Sequence, residues 1–354
     1  MMRSKPPHRP KRILTLDGGG IRGVISLGIL SFVEQVHRDR RGDPTLVLAD
    51  EYDLIAGTST GAIIAACLSW GMDVSSILSM YREHGPMMFR PNKPWQRFRA
   101  RYRAQEIALM FRRIFLEDDG ALPTLGTAKL RTLLLVVMRN ATTGSAWPLT
   151  NNTQATFNTV GIDGCNLDIP LWKILRASTA APTFFPPERI QLGSRTHTFI
   201  DGGITPYNNP SLIALLTATL PEYRISWNPG EDKISLLSVG TGASRIQLAT
   251  KPIDRLNLID HLRYVPPALI GSIGEEQDKI CRVLGRCIFG ESLDAEVGAL
   301  SGHGPLDDAR LCTYARLNPK LESTLPMDDV SLINEFEHIG RMYAEHKLSP
   351  EVIV

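Results

Sequence analysis

Residues 52–70, YDLIAGTSTGAIIAACLSW, decide the fold. The first half is an apolar run of strand length that ends at Gly57. The second half, from just past Ser59, is rich in alanine and isoleucine and reads as a helix. The same unit stands upstream, where ILTL (13–16) is a short buried strand, DGGGIRG (17–23) a turn and residues 24–36 a helix. Two strand–glycine turn–helix units predict an α/β fold in layers with a largely parallel central sheet. Further outward, buried-strand patterns fall at 133–138, 198–200 and 234–239, and helical patterns at 104–115, 171–177 and 211–219. They place the core domain at 12–245. Past Ser244 the strand signal fades, and helical periodicity over 268–284 and 330–345 predicts a helical C-terminal extension, 246–354, packed on the core. Residues 1–11, basic and rich in proline, read as a flexible tail.

Composition narrows the partners. With 354 residues, 43% hydrophobic and 21% charged, the chain is long enough for one large α/β domain with extensions. A net charge of +2 gives no global attraction for a nucleic acid polymer, so local clusters matter more. The five cysteines are scattered, odd in number and without a CxxC pair, which suits a reducing cytoplasmic setting rather than zinc or redox work. No apolar signal stretch follows the basic tail, so secretion is not expected. The longest apolar runs fall short of the roughly 20 residues of a spanning helix. Any membrane contact is therefore expected to be peripheral.

Three short motifs carry chemistry. Gly57-Thr58-Ser59-Thr60-Gly61 has the G-x-S-x-G form at a strand-to-helix turn, where a nucleophile elbow needs small residues on both sides of the serine. Alone, the pentapeptide fits a glycine-bracketed helix cap equally well. Asp17-Gly18-Gly19-Gly20-Ile21-Arg22-Gly23 gathers backbone amides without side chains at a helix N-terminus, a setting that receives negative charge and suits an oxyanion hole supported by Arg22. Gly18, Gly20 and Gly23 also satisfy the G-x-G-x-x-G dinucleotide fingerprint. The acidic residue expected about 20 positions later is replaced here by the helix end HRDRRGD, and Asp50 comes too late. In Thr198-Phe-Ile-Asp-Gly-Gly203, Asp201 ends a strand beside an open turn and is placed to take a proton from a serine hydroxyl. A Ser-His-Asp triad is the rival arrangement. Of the eight histidines, His197 lies four residues from Asp201, roughly 13 Å along one strand, and none of the others has a catalytic setting. No metal-ligand spacing occurs, and no cofactor is expected.

Taken in order, DGGGIRG, GTSTG and DGG resemble the motifs of the patatin-like phospholipase family. The stretches KLRTLLLVVMRNATTG, WKILRASTAAPTFFPPERI, TFIDGGITPYNNP and ISLLSVGTGA extend the resemblance over about residues 12–245. It implies a three-layer patatin-like fold and calcium-independent hydrolysis of acyl esters of membrane glycerophospholipids or lysophospholipids. By motif, Ser59 would be the nucleophile and Asp201 the base of a Ser/Asp dyad. Gly18, Gly19 and Gly20 would supply oxyanion amides supported by Arg22, with Gly57 and Gly61 shaping the elbow.

Two further readings concern the surface and regulation. Residues 90–103 interleave six basic side chains with Trp95, Phe98 and Tyr102, a mixture that suits a lipid interface and also a solvated loop leading into a helix. The C-terminal stretches RVLGRCIFGESLDAEVG and TYARLNPKLE resemble a subgroup of patatin-like effectors in bacterial anti-phage (CBASS) signalling. That resemblance implies a cyclic dinucleotide activator and a homo-oligomer, with Arg282, Arg286 and Arg316 as candidates to meet the phosphates.

Overall fold

The computed structural model describes residues 9–96, 100–244, 255–301, 306, 309–323 and 325–353. In chain order its elements are β1 (Lys11–Leu16), α1 (Gly23–Arg41), α2 (Leu48–Glu51), β2 (Leu54–Thr58), α3 (Thr60–Ser69), α4 (Val74–Met88) and α5 (Ala104–Ile114). They continue with β3 (Leu133–Asn140), β4 (Ser145–Thr150), α6 (Leu171–Ser178), β5 (Glu188–Leu192), β6 (Arg195–Asp201) and α7 (Ser211–Thr219). The last are β7 (Ile234–Val239), β8 (Ala243–Ser244), α8 (Leu258–Leu284), β9 (Arg286–Phe289), β10 (Thr313–Leu317), β11 (Lys320–Leu321) and α9 (Ile333–Lys347).

Successive strand residues point to opposite faces of the sheet. Leu14 and Leu16 of β1, Ile55 of β2 and Val136 of β3 enter one core, with α1, α3, α4, α5, α6 and α9. Ile13, Leu54, Ala56, Leu135 and Val137 enter the other, with α7 and the end of α8. Burial on both faces explains why these strands are continuously apolar instead of alternating with polar residues. The result is the expected three-layer α/β fold.

Hydrogen-bonded neighbours run β5-β6-β3-β2-β1-β7-β10-β9, with β4 also on β3. The strands from β3 through β2, β1, β7 and β10 to β9 are parallel. β4, β5 and β6 are joined by antiparallel pairing. One detail of register positions the site. β2 pairs with residues 133–137 of β3 and β6 with residues 138–140. β4 overlaps both segments, so it takes the opposite edge and leaves β2 and β6 to share the other. The two strands approach from opposite directions and stop beside each other, with Thr58 against Val137 and Asp201 against Met138.

The strand pattern does not end at Ser244. α8 and α9 supply the helices expected of the C-terminal portion, but β10 pairs in parallel with β7 and carries β9 beyond it, so this portion completes the central sheet. The short β11 also pairs with β8. TYARL was unreadable as a buried strand because Tyr314 and Arg316 interrupt its apolar run, and both are buried through polar partners.

α9 returns to cover α1, and their backbones cross at two glycines. A Cβ on Gly340 would stand 2.1 Å from the Ile25 carbonyl oxygen, and one on Gly28 would stand 2.6 Å from the Glu337 carbonyl oxygen. Gly340→Val is expected to force the helices apart and to lower stability by about 1–3 kcal/mol, the usual cost of overpacking. An unchanged urea midpoint for this variant would contradict the crossing.

Candidate active site

Ser59 stands between β2 and α3 with φ 54° and ψ −122°, a left-handed conformation rare for a residue with a side chain. The flanking glycines make it possible. A Cβ on Gly57 would lie 2.1 Å from the Gly61 carbonyl oxygen, and one on Gly61 would lie 2.2 Å from the Leu16 carbonyl oxygen. The Ser59 amide donates to Ser178 Oγ at 3.0 Å, and Ser178 Oγ donates in turn to the Val137 carbonyl at 2.7 Å. The strained turn is thus tied to β3 and to the end of α6.

At the junction on β3, Ser59 Oγ donates to Asp201 Oδ2 at 2.7 Å. The other carboxylate oxygen accepts the Gly203 amide at 2.6 Å. Burial pushes the Asp201 carboxyl up to about 6, partly offset by the bonds from Ser59 and Gly203 and by the charge of Arg176. Among the described residues no histidine lines the cavity around Ser59. His197 faces Asn140 instead, 3.1 Å away, and His8 and His303 lie outside the described residues.

The glycine loop runs past the same serine. The Gly18 amide donates to the Asn208 carbonyl at 3.1 Å and the Ile21 amide to the Met327 carbonyl at 2.8 Å. Gly18 is therefore removed from the expected oxyanion donors, its hydrogen being already committed. The amides of Gly19 and Gly20 have no acceptor among the described residues, and both residues line the cavity beside Ser59. Thr60, which opens α3 and also lines the cavity, adds an amide at a helix N-terminus. Arg22 donates from Nη1 to Ser244 Oγ at 3.1 Å and has no carboxylate partner among the described residues. Burial lowers its pKa to about 10, which leaves it charged at neutral pH.

A cavity of roughly 420 Å³ opens from these groups. One wall is apolar, formed by Ile63, Met88, Phe89, Ile107, Phe184 and Phe185. Pro267 and Ile270 of α8 also contribute. Such a wall accepts a hydrocarbon chain without leaving polar groups unpaired.

This geometry can be set beside known proteins. The model of the family described as patatin-like phospholipase matches residues 14–215. The chain belongs to that family. It is 27% identical over 250 residues to Patatin-17 of Solanum cardiophyllum, an alignment covering 66% of this chain and 60% of that protein. It is 30% identical over 245 residues to a cGAMP-activated phospholipase of Vibrio cholerae, covering 65% and 64% respectively. The chain thus spans about three fifths of the length of these relatives. The crystal structure of VipD from Legionella pneumophila is similar with a TM-score of 0.36 and 14% identity, over 98% of this chain and 72% of that one.

Within this patatin-like chain, the arginines expected to meet phosphates are placed differently from that expectation. Arg282 is buried and grips Asp278 through Nε at 2.9 Å and Nη2 at 2.7 Å. Arg316 is buried against Asp17, with Nη1 2.9 Å from Oδ1. Both charges are already neutralised, so neither is a free phosphate ligand. Arg286 is half-exposed and faces Glu231 at 3.6 Å. In the 90–103 segment Trp95 is exposed, Tyr102 is buried with its hydroxyl on Asp328 at 2.6 Å, and Phe98 lies outside the described residues.

The sequence reading missed Ser178, the Thr60 amide and Asn208. The run RASTAAP around Ser178 carries no motif of its own, and no spacing rule connects it to Ser59. Ser178→Ala is expected to strand the Ser59 amide and the Val137 carbonyl, costing about 1–3 kcal/mol for the unpaired groups. Urea unfolding checks this, and an unchanged midpoint would remove Ser178 from the elbow.

Proposed function

We propose that the protein is a serine acyl hydrolase acting on membrane phospholipid or lysophospholipid through a Ser59/Asp201 dyad. The observation that carries this reading is the 2.7 Å bond from Ser59 Oγ to Asp201 Oδ2, at a strained elbow beside unpaired amides. As Ser59 Oγ attacks the ester carbonyl, its proton passes to Asp201. The carbonyl oxygen becomes an oxyanion facing the amides of Gly19, Gly20 and Thr60, with the Arg22 charge nearby. Collapse breaks the bond to the alcohol, which leaves with the proton held by Asp201. Asp201 then takes a proton from water, whose oxygen attacks the acyl-serine; collapse breaks the bond from Ser59 Oγ to the acyl carbon, Oγ takes the proton back from Asp201, and the fatty acid is released. The apolar wall holds the acyl chain, and the reading requires no metal.

The location proposed is cytoplasmic with peripheral membrane contact. No helix among the described residues is long and apolar enough to cross a membrane. Trp95, 66% exposed with the Lys93 ammonium over its ring, is suited to the headgroup boundary.

Ser59→Ala is expected to abolish fatty-acid release and labelling by a fluorophosphonate, and Asp201→Asn to abolish release, each in a folded protein. The base must be ionised to act, so kcat/KM is expected to fall about tenfold per pH unit below a pKa near 6 and to level off above it. Normal turnover by Ser59→Ala would overturn the reading. A flat profile between pH 4 and 7, with the protein still folded, would exclude Asp201 as the base.

Control by a cyclic dinucleotide is the finer part of the proposal, motivated by the similarity to the Vibrio cholerae relative and by the C-terminal stretches. A cytosolic enzyme able to cleave membrane lipid has to be held off. A ligand releases it only by binding the active arrangement more tightly, about 5.5 kcal/mol for a shift from 1:99 to 99:1. Phospholipid hydrolysis and light scattering across cyclic di- and trinucleotides are expected to rise together. No response from any of them would leave a constitutive enzyme.

A further inference from the structure

Among the described residues, five partners tie down the stretch of the glycine loop from Asp17 to Ile21. The Asp17 amide donates to the Val239 carbonyl, Gly18 is held by Asn208 and by Thr241 Oγ1, the Ile21 amide donates to the Met327 carbonyl, and the Asp17 carboxylate is held by Arg316. Four of the five partners (Val239, Thr241, Arg316 and Met327) lie beyond residue 215, where the match to the family model ends. Arg316 is the one charged side chain among them, and it holds the residue directly before Gly18–Gly20.

We propose that Arg316, on β10, is a positioning residue for the oxyanion loop. Both Asp17 oxygens accept from its guanidinium, a two-point fork that fixes the carboxylate's position and its plane. Its Nη1 also donates to Ser238 Oγ at 2.7 Å, so the fork is braced on β7. Two residues earlier on the same face of β10, the Tyr314 hydroxyl donates to Asp278 at 3.0 Å, and Asp278 is gripped by Arg282. Arg282 Nη1 then donates to the carbonyls of Glu291 and Ala299 at 2.9 and 2.6 Å. Buried charges of alternating sign, Asp17, Arg316, Asp278 and Arg282, thus join the loop beside Ser59 to α8 and to the connection after β9. Burial works against the Arg316 charge, and the Asp17 carboxylate outweighs it and holds the guanidinium above its usual pKa.

This role rests on the hydrolase reading above. A loop that is merely stabilised would lose activity only by unfolding, whereas a positioned loop loses turnover while the protein stays folded. Arg316→Met, Arg316→Lys and the double variant Asp17→Asn/Arg316→Met separate the two cases. Removing one partner leaves a buried charge unpaired, while removing both does not, so the double variant is expected to be the more stable of the two Met proteins. On a soluble ester, kcat is expected to fall about 100-fold in the Met variants, the size of losing one oxyanion donor, with KM little changed. Arg316→Lys keeps the charge without the fork, and its kcat is expected between those of the Met variants and the parent. A folded double variant with the parent's kcat would overturn the proposal, and if neither Met variant folds, the parent's kcat in Arg316→Lys would do the same. A parent protein inert toward every ester, or a Ser59→Ala protein as active as the parent, would instead overturn the hydrolase reading and this role with it.

Discussion

The bond from Ser59 Oγ to Asp201 depends on β2 and β6 ending against each other on one edge of β3. Thr58 opposes Val137 and Asp201 opposes the next residue, Met138, so the turn that begins at Ser59 and the carboxylate that ends β6 meet within hydrogen-bond distance. A slip of one residue in either strand would turn the side chain to the opposite face of the sheet. The apolar alternation that seats Val137 in one core and Met138 in the other therefore also sets the geometry of the site. Ser178 reinforces the junction by joining the Ser59 amide to Val137 of the same strand.

The two carboxylates near Ser59 differ because their partners differ. Asp17 meets a full positive charge in Arg316, which works against the rise that burial imposes on its carboxyl. Asp201 receives only a hydroxyl and an amide hydrogen, and burial raises its pKa into the range where it can take and return a proton near neutral pH. In the proposed hydrolysis it is this difference in partners, not position in a motif, that would separate the two roles, since both residues stand at strand ends next to glycines.

The parts of this arrangement that are local in sequence were readable from it. GTSTG, DGGGIRG and DGG each declare a tight turn at a strand end, and the apolar runs around them announce buried strands. What depended on distant pairing was not readable. Gly18 was expected as an oxyanion donor, and only the fold reveals that Asn208 takes its hydrogen. Arg316 was expected to meet phosphate because Asp17, its partner, is 299 residues away in sequence. Arg282 could have been read better, since Asp278 stands four residues earlier on the same helix, a spacing that brings opposite charges together. β10 is not legible in the sequence because a buried strand carrying tyrosine and arginine departs from the continuous apolar pattern of β1, β2 and β3.

Strain at Ser59 gives these connections a common reason. A residue with a side chain in a left-handed conformation costs about 1–3 kcal/mol and persists only where its surroundings over-determine it. Here the glycines exclude other packings, Ser178 holds the amide, Asp201 holds the hydroxyl, and the Ser59 carbonyl accepts the first turn of α3 from Ala62 at 2.9 Å. The glycine loop opposite is held in the same manner, by many partners, most of them from the C-terminal half of the chain. Two loops held this way side by side at one cavity would, in the proposed hydrolysis, leave little reorganisation for the moment of reaction, the condition under which fixed amides stabilise developing charge best.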